Sequence, residues 1–231
     1  MSQMTATEKL FGTTTLDEQQ AAMAKKTYAL LSISLVTAIA GGYIGATTPG
    51  LVRFFASWIG WLLAIVLINT VPRIALWAAE KGSGLGTVML ALDGFLSGLV
   101  LAPMLWLAQH LSPQIVPAAL GVTAAVFVSV TGYMMLTRQR FSAPAGLMTG
   151  MFFSIMAAIT LNMFLNIGML GVMISIGIGI FGVLMLVYAT STVLNDPDYT
   201  NPVQGALMLF AAIFNIFVSV LNLLMRLVSR D

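Results

Sequence analysis

Runs of about 20 consecutive apolar residues recur along this chain, and few folds can accommodate them. A helix of that length crosses the roughly 30 Å hydrocarbon core of a bilayer. Hydrophobic residues make up 59% of the 231 residues and charged residues only 8%, whereas about one-quarter of the residues in a soluble domain are charged. Too little polar sequence remains to enclose this much apolar helix in water. The sequence therefore predicts an all-α polytopic membrane protein.

The apolar runs predict seven transmembrane helices, over residues 27–46, 51–71, 85–108, 115–137, 144–166, 168–193 and 204–227. The fifth and sixth runs are separated only near Asn166, so we expect a tight helical hairpin there. The last run also contains polar side chains, namely Gln204, Asn215, Asn222 and Arg226. These polar side chains make a six-span protein with a re-entrant last segment the alternative.

Residues 1–26 are mixed polar sequence and precede a transmembrane domain that we predict over residues 27–231. Thr15 and Glu18 have capping-box spacing, which favours a short helix running into the first span. We nevertheless expect a partly ordered cytosolic tail. The alternative is a docking segment for a partner, with Leu10 and Phe11 as apolar anchors. The segment lacks the apolar core and the cleavage site of a signal peptide.

Basic residues in the short loops predict the orientation of the chain. With seven spans, six of them lie on the side of the N-terminus: Lys25, Lys26, Arg73, Lys81, Arg138 and Arg140. Three lie on the opposite side: Arg53, Arg226 and Arg230. Because the side richer in Lys and Arg is the cytosolic one, we expect a cytosolic N-terminus. The C-terminus then lies outside, which in a bacterium is the periplasm.

Asp93 is the only ionisable side chain well inside a predicted span. A charge at such a depth costs several kcal/mol unless it faces protein or water or takes up a proton. Two roles fit this position. Asp93 is either a proton-linked or cation-linked group in an inward-facing cavity, or a carboxyl that is protonated or hydrogen-bonded to a neighbouring span. Arg73 is the nearest candidate for a basic partner.

Other polar side chains are candidates for helix packing or for attracting cations. Asn162 in the fifth span, and Asn215 and Asn222 in the seventh, are amides within apolar runs, and we expect them to hold helices together. Hydrogen bonds between membrane helices average well under 2 kcal/mol each. Asp196 and Asp198 lie in the connector before the last span. They are candidates for attracting cations there, although two exposed acids at this spacing are typical of a solvated turn.

The sequence contains no set of residues typical of an enzyme. It has no cysteine, which excludes disulfides and thiol chemistry. His110 is the single histidine, and nothing near it has metal-ligand spacing. The glycine-rich stretch 82–86 lacks the Lys-Ser/Thr pair of a phosphate-binding loop. We therefore predict a protein without enzymatic activity, cofactor or nucleic-acid partner.

Four stretches of the chain follow one another in the order found in a known membrane protein family. They are TYALLS at 27–32, GYMMLTRQRF at 132–141, VYATS at 187–191 and IFNIFVSVLNLLMRLVSRD at 213–231. The first resembles the first span of the Bax-inhibitor/YccA-like proteins, and the last resembles their final helix. The middle two resemble their basic loop after span four and the end of span six. The resemblance covers residues 27–231 and points to the bacterial YccA branch, hence to the inner membrane.

The resemblance implies a seven-helix fold in which the last helix is surrounded by the other six. Some members of the family conduct a pH-sensitive calcium leak, gated by two aspartates on spans six and seven. The YccA branch instead binds and restrains FtsH, a membrane-anchored protease, with help from its cytosolic N-terminal tail. In this chain the two gate positions fall on Ala189 and Ala212. Calcium needs several oxygen ligands, so the aspartate gate is absent here.

Three functions follow from these observations. The leading hypothesis is a non-enzymatic inner-membrane protein that binds and modulates an FtsH-type protease or another membrane complex. The alternative is a pH-sensitive calcium or proton leak that uses Asp93 in place of the missing aspartate pair. The third is an accessory subunit that fills space in a larger assembly. The sequence leaves the partner and the oligomeric state open.

Overall fold

The computed structural model describes residues 6–142, 145–165 and 167–229, with side chains in the first helix described from Glu18 onward. These residues form nine helices joined by short turns. The helices are α1 (Ala6–Thr47), α2 (Pro49–Ala56), α3 (Trp58–Lys81), α4 (Ser83–Val100), α5 (Ala102–Leu111), α6 (Ile115–Thr137), α7 (Ala145–Leu165), α8 (Gly168–Asn195) and α9 (Pro202–Val228).

Within the described ranges, five helices are long and apolar enough to cross a bilayer. They are Glu18–Thr47 of α1, together with Trp58–Lys81, Ile115–Thr137, Gly168–Asn195 and Pro202–Val228. Helices α4 and α5 provide a sixth span if they are counted together, with a bend of 48° between Gly84–Val100 and Ala102–Leu111. Helix α7 contains a shorter apolar stretch, Gly146–Asn162. The all-helical, multi-pass class is thus confirmed, whereas the predicted count of seven full spans is not.

The second span differs from its predicted range of 51–71. Helix α2 occupies the start of that range, and Ser57 then caps α3 by accepting a hydrogen bond from the Gly60 backbone N–H at 3.1 Å. Helix α3 continues through Pro72 to Lys81, so the predicted end at residue 71 is wrong. A proline inside a membrane helix removes one backbone donor, but neighbouring groups satisfy the freed carbonyl.

Helix α1 begins at Ala6 and continues unbroken to Thr47. From Ala6 onward the backbone before the first span is helical, and Thr15 lies within this helix. A partly ordered tail over residues 1–26 stays a prediction. At a rise of 1.5 Å per residue, the part before Thr27 is about 30 Å long. The side chains of Leu10 and Phe11 lie outside the described residues. A cytosolic location of this segment stays a prediction.

Helix α9 contacts α1, α3, α4, α5, α6 and α8. Buried apolar side chains surround both of its halves. The cluster at its N-terminal half includes Ala189, Ala206, Leu209, Ala212 and Ile216. The cluster at its C-terminal half includes Ala46, Leu105, Ile115, Leu221 and Met225. Because α9 is one continuous helix, a re-entrant last segment is wrong. A seven-helix arrangement around it stays a prediction, since α7 packs chiefly on α8.

Glycines bring the backbones of α1 and α4 into direct contact. A Cβ atom at Gly98 would overlap the carbonyl oxygen of Ala38 and lie 2.7 Å from the backbone nitrogen of Gly42. One at Gly94 would lie 2.6 Å from the hydroxyl oxygen of Thr37. Small residues four apart are typical of closely packed membrane helices. The contact between α1 and α4 therefore depends on the absence of these side chains.

Candidate functional site at the N-terminal face

Several helix ends meet at one end of the bundle, which we call the N-terminal face. It comprises the end of α3, the start of α4, the end of α6 and the turn from α8 to α9, together with Lys26 of α1. A pocket lined by Lys26, Glu80, Thr87 and Asn201 lies between α1, α3, α4 and the connector before α9. Charged residues described at this face include Lys81, Arg138, Arg140, Asp196 and Asp198. The opposite end, where α9 finishes, is the C-terminal face.

The connector between α8 and α9, residues 196–201, carries the two acids identified in the sequence. The carboxylate of Asp196 accepts a hydrogen bond from the backbone N–H of Asp198 at 3.1 Å. This bond forms an Asx turn, a common arrangement of a short polar loop. The part of the chain that the structure describes contains no group of three or more His, Cys, Asp or Glu side chains that could hold a metal ion. A role of Asp196 and Asp198 in attracting cations stays a prediction.

Tyr199 joins this connector to α1. Its hydroxyl lies 2.5 Å from the hydroxyl of Thr27, whose side chain is fully buried. Burial raises the pKa of the Tyr199 phenol, while its hydrogen bonds with Thr27 and the Gly205 backbone oppose this rise. The phenol is therefore neutral at physiological pH. Gln20 adds a second contact by donating from Nε2 to the carbonyl of Leu194 at 3.0 Å.

The loop after α6 is bound to the end of α8 by side chains that the sequence analysis did not identify. The Ser191 hydroxyl accepts a hydrogen bond from the Phe141 backbone N–H at 2.6 Å and donates to the Gln139 carbonyl at 3.2 Å. Asn195 donates to the same carbonyl at 2.9 Å. Arg138 ends α6 in the left-handed conformation, with φ of 49°. The basic loop thus has a defined position beside the acidic connector.

The two positions that the resemblance aligns with an aspartate gate, Ala189 and Ala212, lie in the core. Ala189 and Ala212 are both 0% exposed and belong to the same apolar cluster around α9. The helices α8 and α9 approach closely here, because a Cβ at Gly182 would lie 3.1 Å from the Ala212 carbonyl oxygen. The adjacent Thr190 hydroxyl is buried and has no hydrogen-bond partner among the described residues. These two positions therefore contribute methyl groups and no ligand oxygen from their side chains.

Asp93 lies on the buried face of α4 and is only 4% exposed. Leu90 and Ser97 are buried on the same face of the helix. Arg73, the predicted basic partner, is exposed, and the structure pairs Asp93 with no base among the described side chains. A role in ion or proton movement stays a prediction.

The three amides identified in the sequence make bonds within one helix or one turn. Asn215 donates to the Ala211 carbonyl at 2.9 Å, and Asn222 donates to the Val218 carbonyl at 3.1 Å, both inside α9. The Asn162 side-chain oxygen accepts from the backbone N–H of Ile167 at 3.1 Å, which closes the turn between α7 and α8. A role for these amides between helices stays a prediction.

A hydrogen bond between helices comes instead from a small hydroxyl. Ser219 of α9 is buried and donates to the Ser175 carbonyl of α8 at 2.6 Å. A Cβ at Gly179 would lie 2.6 Å from the Ser219 hydroxyl oxygen, so this glycine leaves room for the bond. The glycines of α8 were the only sequence signal for this contact, since a single Ser in an apolar run does not identify its partner.

The apolar helices define a polytopic α-helical membrane protein with a polar, charged face at the end where α9 begins. The family model described as inhibitor of apoptosis-promoting Bax1 matches residues 20–229. The chain belongs to this Bax inhibitor family, as the resemblance of its four stretches predicted.

Curated bacterial relatives cover most of the chain. An uncharacterised protein of Neisseria meningitidis serogroup A is 32% identical over 90% of this chain and 92% of its own length. An uncharacterised protein of Pseudomonas aeruginosa is 30% identical over 69% of this chain and 72% of its own. The protein of Escherichia coli K12 named modulator of FtsH protease YccA is 28% identical over 90% of both chains.

Proposed function

We propose that this protein is a non-enzymatic component of the bacterial inner membrane that binds and restrains an FtsH-type membrane protease. The observation that carries this proposal is the similarity, over 90% of both chains, to the E. coli protein named modulator of FtsH protease. A second E. coli relative of the same identity is named an inner membrane protein. The missing aspartates at Ala189 and Ala212 also favour modulation over a gated calcium leak.

The N-terminal part of α1 is the surface that we assign to the protease. It extends the first span as a helix about 30 Å long, enough to reach the membrane-proximal part of a cytosolic domain. Gln20 and Thr27 fasten its base to the connector between α8 and α9. A helix held at its base presents its free end in a defined direction, which lowers the entropy lost on binding. Leu10 and Phe11 are the apolar anchors that the sequence supplies there.

Replacing both anchors tests this proposal. In proteoliposomes that contain an FtsH-type protease and a membrane substrate, the parent protein is expected to slow degradation several-fold. The double variant Leu10→Ser, Phe11→Ser is expected to bind the protease weakly and to leave degradation near its uninhibited rate, because the apolar contacts are lost. Binding is measured by co-purification and the rate by loss of the substrate band.

The matched control is Thr13→Ala with Thr14→Ala, two changes on the same helix that remove no apolar anchor. This control is expected to slow degradation as the parent does. A parent protein that neither co-purifies with the protease nor changes its rate contradicts the function. A Leu10 and Phe11 variant that restrains the protease normally contradicts only the assigned surface.

The burial of Asp93 supports a second function, a proton or calcium leak. A carboxyl in a membrane helix without a basic partner is a functional candidate by default. In calcium-loaded liposomes, Asp93→Asn is expected to abolish a pH-dependent flux, whereas Asp196→Asn with Asp198→Asn is expected to change it little. Flux is followed with an internal calcium or pH dye. An Asp93→Asn protein with unchanged pH-dependent flux, or a parent protein with none, excludes this role.

A further inference from the structure

A pocket of about 330 Å³ opens at the N-terminal face between α1, α3, α4 and the start of α9. Its polar lining includes Lys26, Glu80, Thr87, Thr200 and Asn201, and Leu30 belongs to its apolar lining. Cavities of this size accommodate small ligands. The pocket is separate from the surface assigned to the protease, and Asp93 is not part of its lining.

The charges of the lining restrict what this pocket can bind. Lys26 and Glu80 contribute one positive and one negative charge, and they form no ion pair with each other. Lys81, the neighbouring base, lies instead over the Trp77 ring at 3.9 Å from its centroid. Lys26 repels a metal cation, and Glu80 repels a simple anion. A ligand that carries both charges complements the two side chains together.

The pocket lies at the boundary between apolar helix and water. Lys26 directly precedes the apolar part of α1, and Glu80 is next to the last residue of α3. Trp77, which is 56% exposed, lies one turn from the end of the same helix. Tryptophan and basic side chains at a helix end are typical of the headgroup region of a membrane. From these side chains we expect the pocket to lie at the level of the phospholipid headgroups.

Hydrogen-bond donors in the lining complement a phosphate group. The side-chain oxygen of Asn201 already accepts from the backbone N–H groups of Val203 and Gln204, at 3.1 and 3.2 Å. Its amide nitrogen is therefore the part of this side chain that is left to donate to a ligand. Together with the Lys26 ammonium it provides donors for an anionic oxygen. Leu30, only 6% exposed, provides apolar surface beside them.

We propose that this pocket binds the headgroup of a zwitterionic phospholipid of the phosphoethanolamine type. Lys26 and Asn201 bind its phosphate, and the Glu80 carboxylate binds its ammonium. A primary ammonium donates hydrogen bonds to a carboxylate, whereas a quaternary choline cannot. The pocket therefore distinguishes phosphatidylethanolamine from phosphatidylcholine through Glu80. It binds either of them through Lys26.

Lipid titration of the purified, delipidated full chain tests this assignment, with retention of short-chain lipids measured by native mass spectrometry. Lys26→Gln is expected to weaken phosphatidylethanolamine binding about tenfold, which matches the loss of one hydrogen bond to a charged group. Glu80→Gln is expected to remove the preference for phosphatidylethanolamine over phosphatidylcholine. Both side chains are exposed, so thermal unfolding of the variants is expected to match that of the parent.

The matched controls are Lys25→Gln and Asp198→Asn, which remove a neighbouring exposed base and a nearby exposed acid outside the pocket lining. They are expected to bind both lipids as the parent does. Lys26→Gln and Glu80→Gln proteins that behave like these controls overturn the proposal. Soluble glycerophosphoethanolamine that binds as tightly as the lipid overturns the lipid as the source of the headgroup.

Discussion

A Gly98→Val variant is expected to lose about 3 kcal/mol or more of stability, because its side chain overpacks the contact between α1 and α4. A Cβ at this position would meet the backbone of Ala38 and Gly42, with the Gly42 nitrogen at 2.7 Å. Backbone atoms in packed helices cannot move aside as a flexible side chain does. The two helices therefore have to separate. Unfolding of the purified protein by heat in mild detergent measures the loss.

Gly121→Val is the matched control for this experiment. It makes the same substitution in α6, where a Cβ would have no neighbour within 4 Å. The variant is expected to be about as stable as the parent, within a few tenths of a kcal/mol, since valine is no poorer a helix former than glycine. Equal unfolding temperatures for the two variants would show that α1 and α4 do not pack as closely as the structure has them.

An Ala212→Asp variant is expected to unfold several degrees below the parent protein. Ala212 is 0% exposed and lies in the apolar cluster around α9. A carboxylate placed there loses its water without gaining a partner, which costs several kcal/mol. We therefore expect that this one substitution does not create a stable acidic site between α8 and α9. Unfolding in detergent, followed by tryptophan fluorescence, provides the measurement.

Ala212→Asn separates the effect of charge from the effect of size. The amide has nearly the same volume as the carboxylate but no charge, so it is expected to destabilise the protein by a smaller amount. If both variants lose the same stability, overpacking and not charge is the cause of the loss. Normal stability of Ala212→Asp would contradict the burial of this position. It would imply that water reaches the space between α8 and α9.

The sequence predicted a helix reliably where local residues alone determine where the helix begins and ends. The predicted last span, 204–227, differs little from α9 (Pro202–Val228), because Asn201 and Pro202 begin the helix by local capping. The second span was mispredicted because hydropathy does not distinguish α2 from the start of α3. The Ser57 cap that separates them depends on one hydrogen bond, which the apolar pattern does not encode.

Candidate residues were harder to predict than helices. Asp93 is conspicuous in the sequence, because an acid in an apolar run carries a large desolvation cost wherever it points. Tyr199, Ser191 and Gln20 are not conspicuous, since each is an ordinary residue near the end of a helix. Their partners lie 50 or more residues away in the sequence, such as Thr27 for Tyr199. Such pairings depend on which helix ends meet.

The sequence by itself determined the class of this protein, its family and the absence of acids at Ala189 and Ala212. Those conclusions follow from composition and residue identity, which do not depend on contacts between distant segments. Only the tertiary structure decided that α1 and α4 touch through Gly98, and that the Tyr199 connector is held to α1. It alone placed Lys26 and Glu80 in one pocket. Contacts between distant segments depend on the packing of all the helices together, and no local pattern specifies that packing.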